Sequence, residues 1–156
     1  MPAVSHRSER TWMHRVPAPP SEVFPLLCPV REYDWIDGWD CEMVFSHSGV
    51  AEEGCVFTRT DETGPAVWVV SRYEPDERIE FVITSPGSHV QHLAIRLQAD
   101  GEGSLLHWTR TVTTLAPAGE SAVAALDDGS WDGRMAGLER ALQHYVTTGE
   151  MLRHPA

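Results

Sequence analysis

Residues 67–83 read Val67-Trp68-Val69-Val70-Ser71-Arg72-Tyr73-Glu74-Pro75-Asp76-Glu77-Arg78-Ile79-Glu80-Phe81-Val82-Ile83, two β-prone runs either side of a Pro-Asp turn. In an antiparallel hairpin the numbers of paired residues have a constant sum, so the loop sets which side chains share a face. Closing Glu74–Glu77 on Tyr73 and Arg78 puts Trp68, Val70 and Arg72 on one face with Ile79, Phe81 and Ile83. Ser71, Tyr73, Arg78, Glu80 and Thr84 take the other. The first face is apolar and is the expected inside.

Two neighbouring hairpins give the same answer. Closing Asp100–Gly103 on Ala99 and Ser104 turns Leu93, Ile95, Leu97, Leu106, Trp108 and Arg110 inward, with His92, Arg96, His107, Thr109 and Thr111 outward. Closing Asp61–Ala66 on Thr60 and Val67 sets Arg59 opposite Trp68 and Phe57 opposite Val70, extending the inner face. Further strands are expected at Ser8–Val16 and Cys41–Ser46, with turn formers at Gly49, Gly54 and Pro86-Gly87 between strands. Pro19-Pro20-Ser21-Glu22 opens a short helix through Cys28, and a second short helix follows Pro29. Near the end, Met135, Leu138, Leu142 and Tyr145 form one helical stripe, with Asp128 or Ser130 as cap and Gly149 as stop. The alanine-rich stretch 117–126 reads as a separate helical turn or two. The fold class is therefore α+β: a curved antiparallel sheet of about seven strands wrapped around a long C-terminal helix, with two short helices after the first strand.

Composition sets the boundaries. The 156 residues suit one domain spanning 1–156, with 1–7 and 153–156 as loose ends, and a chain of this size can bury a core without staples. The net charge is −11, and all 12 basic residues are arginine. The excess acid is concentrated in residues 39–88, which sum to −7 and read as a solvated surface or, alternatively, a docking face for a basic partner. Such a chain lacks the basic stripe that nucleic acid requires. It also lacks a long apolar run, which excludes membrane insertion. Cys28, Cys41 and Cys55 are odd in number and widely spaced, so they read as free thiols in a reducing cytoplasm.

The element order resembles the START-like SRPBCC superfamily, of the polyketide cyclase/dehydrase and lipid-transport type, which has the helix-grip fold. Three segments carry the resemblance: Ala18-Pro19-Pro20-Ser21-Glu22-Val23-Phe24, Arg72-Tyr73-Glu74-Pro75-Asp76-Glu77-Arg78-Ile79, and Leu105-Leu106-His107-Trp108-Thr109-Arg110. It implies a pocket between sheet and helix, in a superfamily whose members range from carriers to cyclases to Hsp90-activator co-chaperones, and its motifs specify fold more than chemistry.

Three arginines, Arg59, Arg72 and Arg110, fall on the otherwise apolar inner face, where each needs a partner. Read functionally, they hold a carboxylate or phosphate of an amphiphilic ligand in a pocket lined by Phe57, Trp68, Phe81, Ile83, Leu93, Ile95, Trp108, Met135, Leu138 and Leu142. The alternative is that each snorkels outward or pairs with an acid, and Arg59 opposite Trp68 suits a cation–π pair. Arg110 is the foremost candidate. Trp35 and Trp39, flanking Gly38, form either a pocket lip or ordinary packing. His89 and His92 are three apart on a strand and point to opposite faces, which argues against a metal. No inward Asp, Glu or His emerges, so no catalytic residue and no cofactor is assigned, and Tyr73 is expected to face outward. The expected role is binding of a hydrophobic or amphiphilic small molecule by a monomer or homodimer. The alternatives are a cyclase, aromatase or dehydratase on the same pocket and an Hsp90-activator-like interaction module. An inward carboxylate near Arg110 would favour catalysis, a dry filled core interaction, and an open cavity binding.

Overall fold

The computed structural model describes residues 6–61 and 64–154. Among these residues seven strands form one antiparallel sheet in the order β1-β7-β6-β5-β4-β3-β2. They are β1 (Arg7–Val16), β2 (Glu42–Phe45), β3 (Val56–Asp61), β4 (Gly64–Glu74), β5 (Arg78–Ser85), β6 (His89–Asp100) and β7 (Gly103–Thr114). Between β1 and β2 lie α1 (Pro20–Val23), a 3-10 turn (Phe24–Leu27) and α2 (Pro29–Glu32). After β7 come a 3-10 turn (Pro117–Gly119), α3 (Glu120–Asp127) and the long α4 (Ser130–Thr148). The sheet is curved, and α4 lies across its inner face in the helix-grip arrangement.

Side-chain alternation explains the layering. Along β5, Ile79, Phe81 and Ile83 are each no more than 2% exposed, whereas the intervening residues are only half-buried. Met135 and Leu142 on α4 belong to the same buried core, which gains roughly 1.5–3 kcal/mol per large apolar side chain removed from water. At its start α4 departs from expectation: the cap residue is Gly129 at φ +90°, and the Asp128 carboxylate instead accepts the Ser130 N–H at 2.8 Å. Gly149, at φ +76°, ends the helix as expected, its N–H bonding the Tyr145 carbonyl.

The β6–β7 register is as read from the sequence, with Ala99 opposite Ser104 and Leu93 opposite Arg110. The β3–β4 hairpin is tighter by two residues, pairing Asp61 with Gly64 and Phe57 with Trp68, and an even shift leaves every face unchanged. The β4–β5 hairpin requires a correction. Glu74 pairs with Arg78 around a three-residue loop containing Asp76 at φ +67°, which slips the register by one. A bulge at Ser71 restores it, so that Val70 meets Phe81 and Trp68 meets Ile83. Only the residues between loop and bulge change sides. Arg72 therefore faces out beside Glu80, paired with Glu74 at 2.8 Å, and Tyr73 faces in, edge-on to Phe24.

Of the ends expected to be loose, residues 1–5 and 155–156 lie outside the described residues, and the neighbouring described ones make contacts. His6 bonds Thr114 and Glu120, Arg7 opens β1, and Arg153 and His154 both bond Asp37. At the β7–α3 connection the Ser88 carbonyl accepts the N–H groups of Leu115 and Ala116, and Gly119 packs against the same peptide. A Cβ on Gly119 would lie 2.1 Å from the Ser88 oxygen, a backbone atom that cannot give way. Gly119→Ala should therefore destabilise the protein by about 2 kcal/mol or more, read as a lowered urea midpoint. An unchanged midpoint would contradict this packing.

Candidate functional site

Between the inner face of the sheet and α4 lies a cavity of about 800 Å³, within the range of small-molecule sites. The sheet contributes Trp68, Phe81, Leu93, Ile95 and Trp108, and α4 contributes Leu138 and Ala141. The segment after α2 forms one lip with Trp35, Ile36 and Trp39, and the chain beyond α4 folds back to add Leu152, Arg153 and His154. Trp108 is fixed in the wall because its indole N–H donates to His14 Nε2 at 2.9 Å. His14 is thereby the Nδ1–H tautomer, and burial lowers its pKa, with Glu139 opposing.

Ten of the residues expected to line the pocket do so: Trp35, Trp39, Arg59, Trp68, Phe81, Leu93, Ile95, Trp108, Arg110 and Leu138. Phe57, Ile83, Met135 and Leu142 lie behind the wall, each no more than 1% exposed, and support it; Phe57 stacks on Trp68 with ring centroids 5.3 Å apart. Arg72 is outside, for the register reason given above. Arg59 does make a cation–π contact, but with Trp39 rather than Trp68: its guanidinium carbon lies 4.0 Å from the Trp39 ring centroid. Its Nε donates to the Asp40 carbonyl at 2.9 Å, and the Trp39 indole donates to the Pro29 carbonyl.

A smaller chamber of about 400 Å³ adjoins the first under the start of α4. Arg59, Asp61, Gln91, Arg110 and Arg134 line both; His89, Ser121 and Trp131 line only the smaller. Arg110 donates to Gln91 Oε1, and because arginine can only donate, this fixes the Gln91 amide. Gln91 Nε2 then donates to His89 Nε2 at 3.3 Å, so His89 carries its proton on Nδ1 and donates it to Ser88 Oγ at 2.8 Å. Burial lowers the His89 pKa, keeping the ring neutral as this chain requires.

The acid missing from the sequence reading is Glu32, the last residue of α2, whose side chain lines the main cavity. Burial pushes its carboxyl up to about 8, with Arg59 pulling the other way, so it holds its proton at neutral pH. A four-residue helix has no periodicity from which its inward face could be read. Also unanticipated are Gly133 and Gly137, one helical turn apart and both on the cavity wall. A Cβ on Gly133 would meet nothing within 4 Å, and one on Gly137 would meet only the Arg140 tip at 3.8 Å. Glycine costs a helix about 1 kcal/mol relative to alanine, so two on the covering face are a readable sign that space is being kept open.

Residues 6–145 match the family described as polyketide cyclase/dehydrase and lipid transport. No curated protein matches the chain. Among solved structures it is similar to CalU16 from Micromonospora echinospora, at 18% identity, covering 92% of this chain and 84% of that one, with a TM-score of 0.61. It is similar to Mll3558 from Rhizobium loti at 19% identity, covering 90% and 96%, with a TM-score of 0.59. DynU16, a protein of the dynemicin biosynthetic locus, is 24% identical over 91% of this chain and 48% of its own length, with a TM-score of 0.59.

The Glu32 environment has a pH signature. Between the carboxyl's ordinary 4.5 and its folded value of about 8, the folded protein keeps a proton that the unfolded chain loses, so stability falls as pH rises through that window. Glu32→Gln removes this slope. The variant should match the parent at pH 4.5 and exceed it by about 2 kcal/mol, or about 5 °C in melting temperature, at pH 8.5. A difference that is the same at both pH values would show that Glu32 is not held in this environment.

Proposed function

Because the chain belongs to the polyketide cyclase/dehydrase and lipid-transport family, we propose that it encloses a hydrophobic or amphiphilic small molecule, lipid- or polyketide-like, between the sheet and α4. The observation that carries this reading is the cavity itself: about 800 Å³ with a wall of tryptophan, phenylalanine, leucine and isoleucine, roofed by a helix that gives up two side chains. Burying an apolar guest against such a wall is favourable by roughly 25 cal/mol per Å². An interior this open weighs against a pure interaction module, which needs no cavity. The three free thiols suit a reducing, cytoplasmic setting.

Glu32 favours a second reading on the same cavity, that of a cyclase or dehydratase. A protonated carboxyl facing the cavity can donate its proton to a β-hydroxyl, which leaves as water, and the resulting Glu32 carboxylate can take up the α-proton lost as the carbon–carbon double bond forms, while the Arg59 guanidinium stabilises charge on the guest's carbonyl oxygen. Binding would then supply orientation and Glu32 the proton.

Titration with N-phenyl-1-naphthylamine, a neutral apolar fluorophore, tests the first reading. It should bind the parent, and Gly133→Leu with Gly137→Leu should weaken it at least about tenfold by filling the space. Gly137→Ala alone should instead stabilise the fold by about 0.5–1 kcal/mol. Undiminished binding to a folded double-leucine variant would overturn the cavity reading. Native mass spectrometry of guests that co-purify with the parent and with Glu32→Gln separates the second: a guest heavier by one water in the variant supports dehydration, and identical guests argue for carriage.

A further inference from the structure

We propose that the smaller chamber is an oxyanion site, which takes the carboxylate or phosphate head of an amphiphile whose apolar body lies in the main cavity; this rests on the binding reading above. Three guanidinium groups converge on the wall the two chambers share, from β3 (Arg59), β7 (Arg110) and α4 (Arg134). Among the described residues Asp61 is the one carboxylate on the same wall, so that these residues carry two more positive than negative charges there where His89 is neutral. Glu32 faces only the main cavity and keeps its proton at neutral pH, so it does not offset them.

The strain of that arrangement is visible at Arg110. Burial, then the charges of Arg134 and Arg59, pull its pKa down to about 10, against the opposing pull of Asp61. It remains a cation at neutral pH, held among cations, and an anion in the chamber would relieve the repulsion.

Hydrogen bonding points the same way. Arg110 Nε and the Trp131 indole N–H are both buried without a partner among the described residues, and both residues line the small chamber. Each can only donate, so the group that satisfies them must accept, and a carboxylate or phosphate supplies several lone pairs at once. An unpartnered buried donor is costly, and such a head group would recover that cost. The donors are also preorganised. The chain from Ser88 through His89 and Gln91 fixes the Arg110 head, and the Asp40 carbonyl and Trp39 ring fix Arg59.

The test compares dodecanoic acid, dodecyl phosphate and 1-dodecanol by tryptophan fluorescence at pH 7.5, below their micellar concentrations. The two anions should bind at least about tenfold more tightly than the alcohol. Arg134→Gln and, separately, Arg110→Gln should each weaken the two anions at least about tenfold more than the alcohol, with circular dichroism and the melting temperature checking that each variant is folded. Of the two anions, the tighter binder identifies the head group. Equal affinity for acid, phosphate and alcohol, or equal weakening of all three in Arg134→Gln, would overturn the oxyanion site while leaving the cavity reading intact. Binding of none of the three would overturn the cavity reading itself.

Discussion

An apolar sheet face has to be covered, and here it is covered without being filled. The two demands meet in α4. Met135 and Leu142 are buried in the core shared with the sheet and hold the helix down, and Trp12 on the edge strand adds a bond from its indole to Glu139 at 3.0 Å. Gly133 and Gly137, on the same helix, withhold side chains where the cavity needs space. Adhesion and vacancy thus alternate along one helix, and the shape of the interior follows from that alternation more than from any single wall residue.

The polar interior depends on direction as much as on charge. Arginine can only donate, so Arg110 dictates the amide of Gln91, the tautomer of His89 and the role of Ser88 in turn. Two residues back along β7 from Arg110, the Trp108 indole N–H donates to His14, which so orients the apolar wall. In both places a neutral histidine, kept uncharged by burial, serves as an acceptor. The cavity surface is therefore set by a few one-way bonds anchored outside it.

Much of this was readable in the sequence because strand faces depend only on parity. A two-residue error in the β3–β4 loop left Arg59 and Phe57 on the right face, whereas a one-residue loop error misplaced Arg72 and Tyr73. The bulge at Ser71 confined that damage to one end of the hairpin, but nothing in Val70-Ser71-Arg72 announces a bulge. The stripe of α4 marks its packing face, whereas the glycines between its large residues have no side chain and add nothing to a hydrophobic pattern. Glu32 and the returning 152–154 segment belong to stretches without a repeat, and their placement comes only from tertiary contacts. Trp39 was legible as a lip residue, but its partnership with Arg59 depends on a chain reversal that periodicity does not describe.

The exclusive use of arginine also has a chemical consequence for whatever the cavity encloses. The 156 residues contain no lysine, and none of the three cysteines lines the cavity. Side-chain amines that condense with carbonyls are therefore lacking, guanidinium groups stay protonated, and the thiols lie elsewhere in the fold. A ketone or aldehyde brought against this wall would meet cationic groups that polarise its oxygen, with no lysine or cysteine side chain there to capture it as an imine or a hemithioacetal.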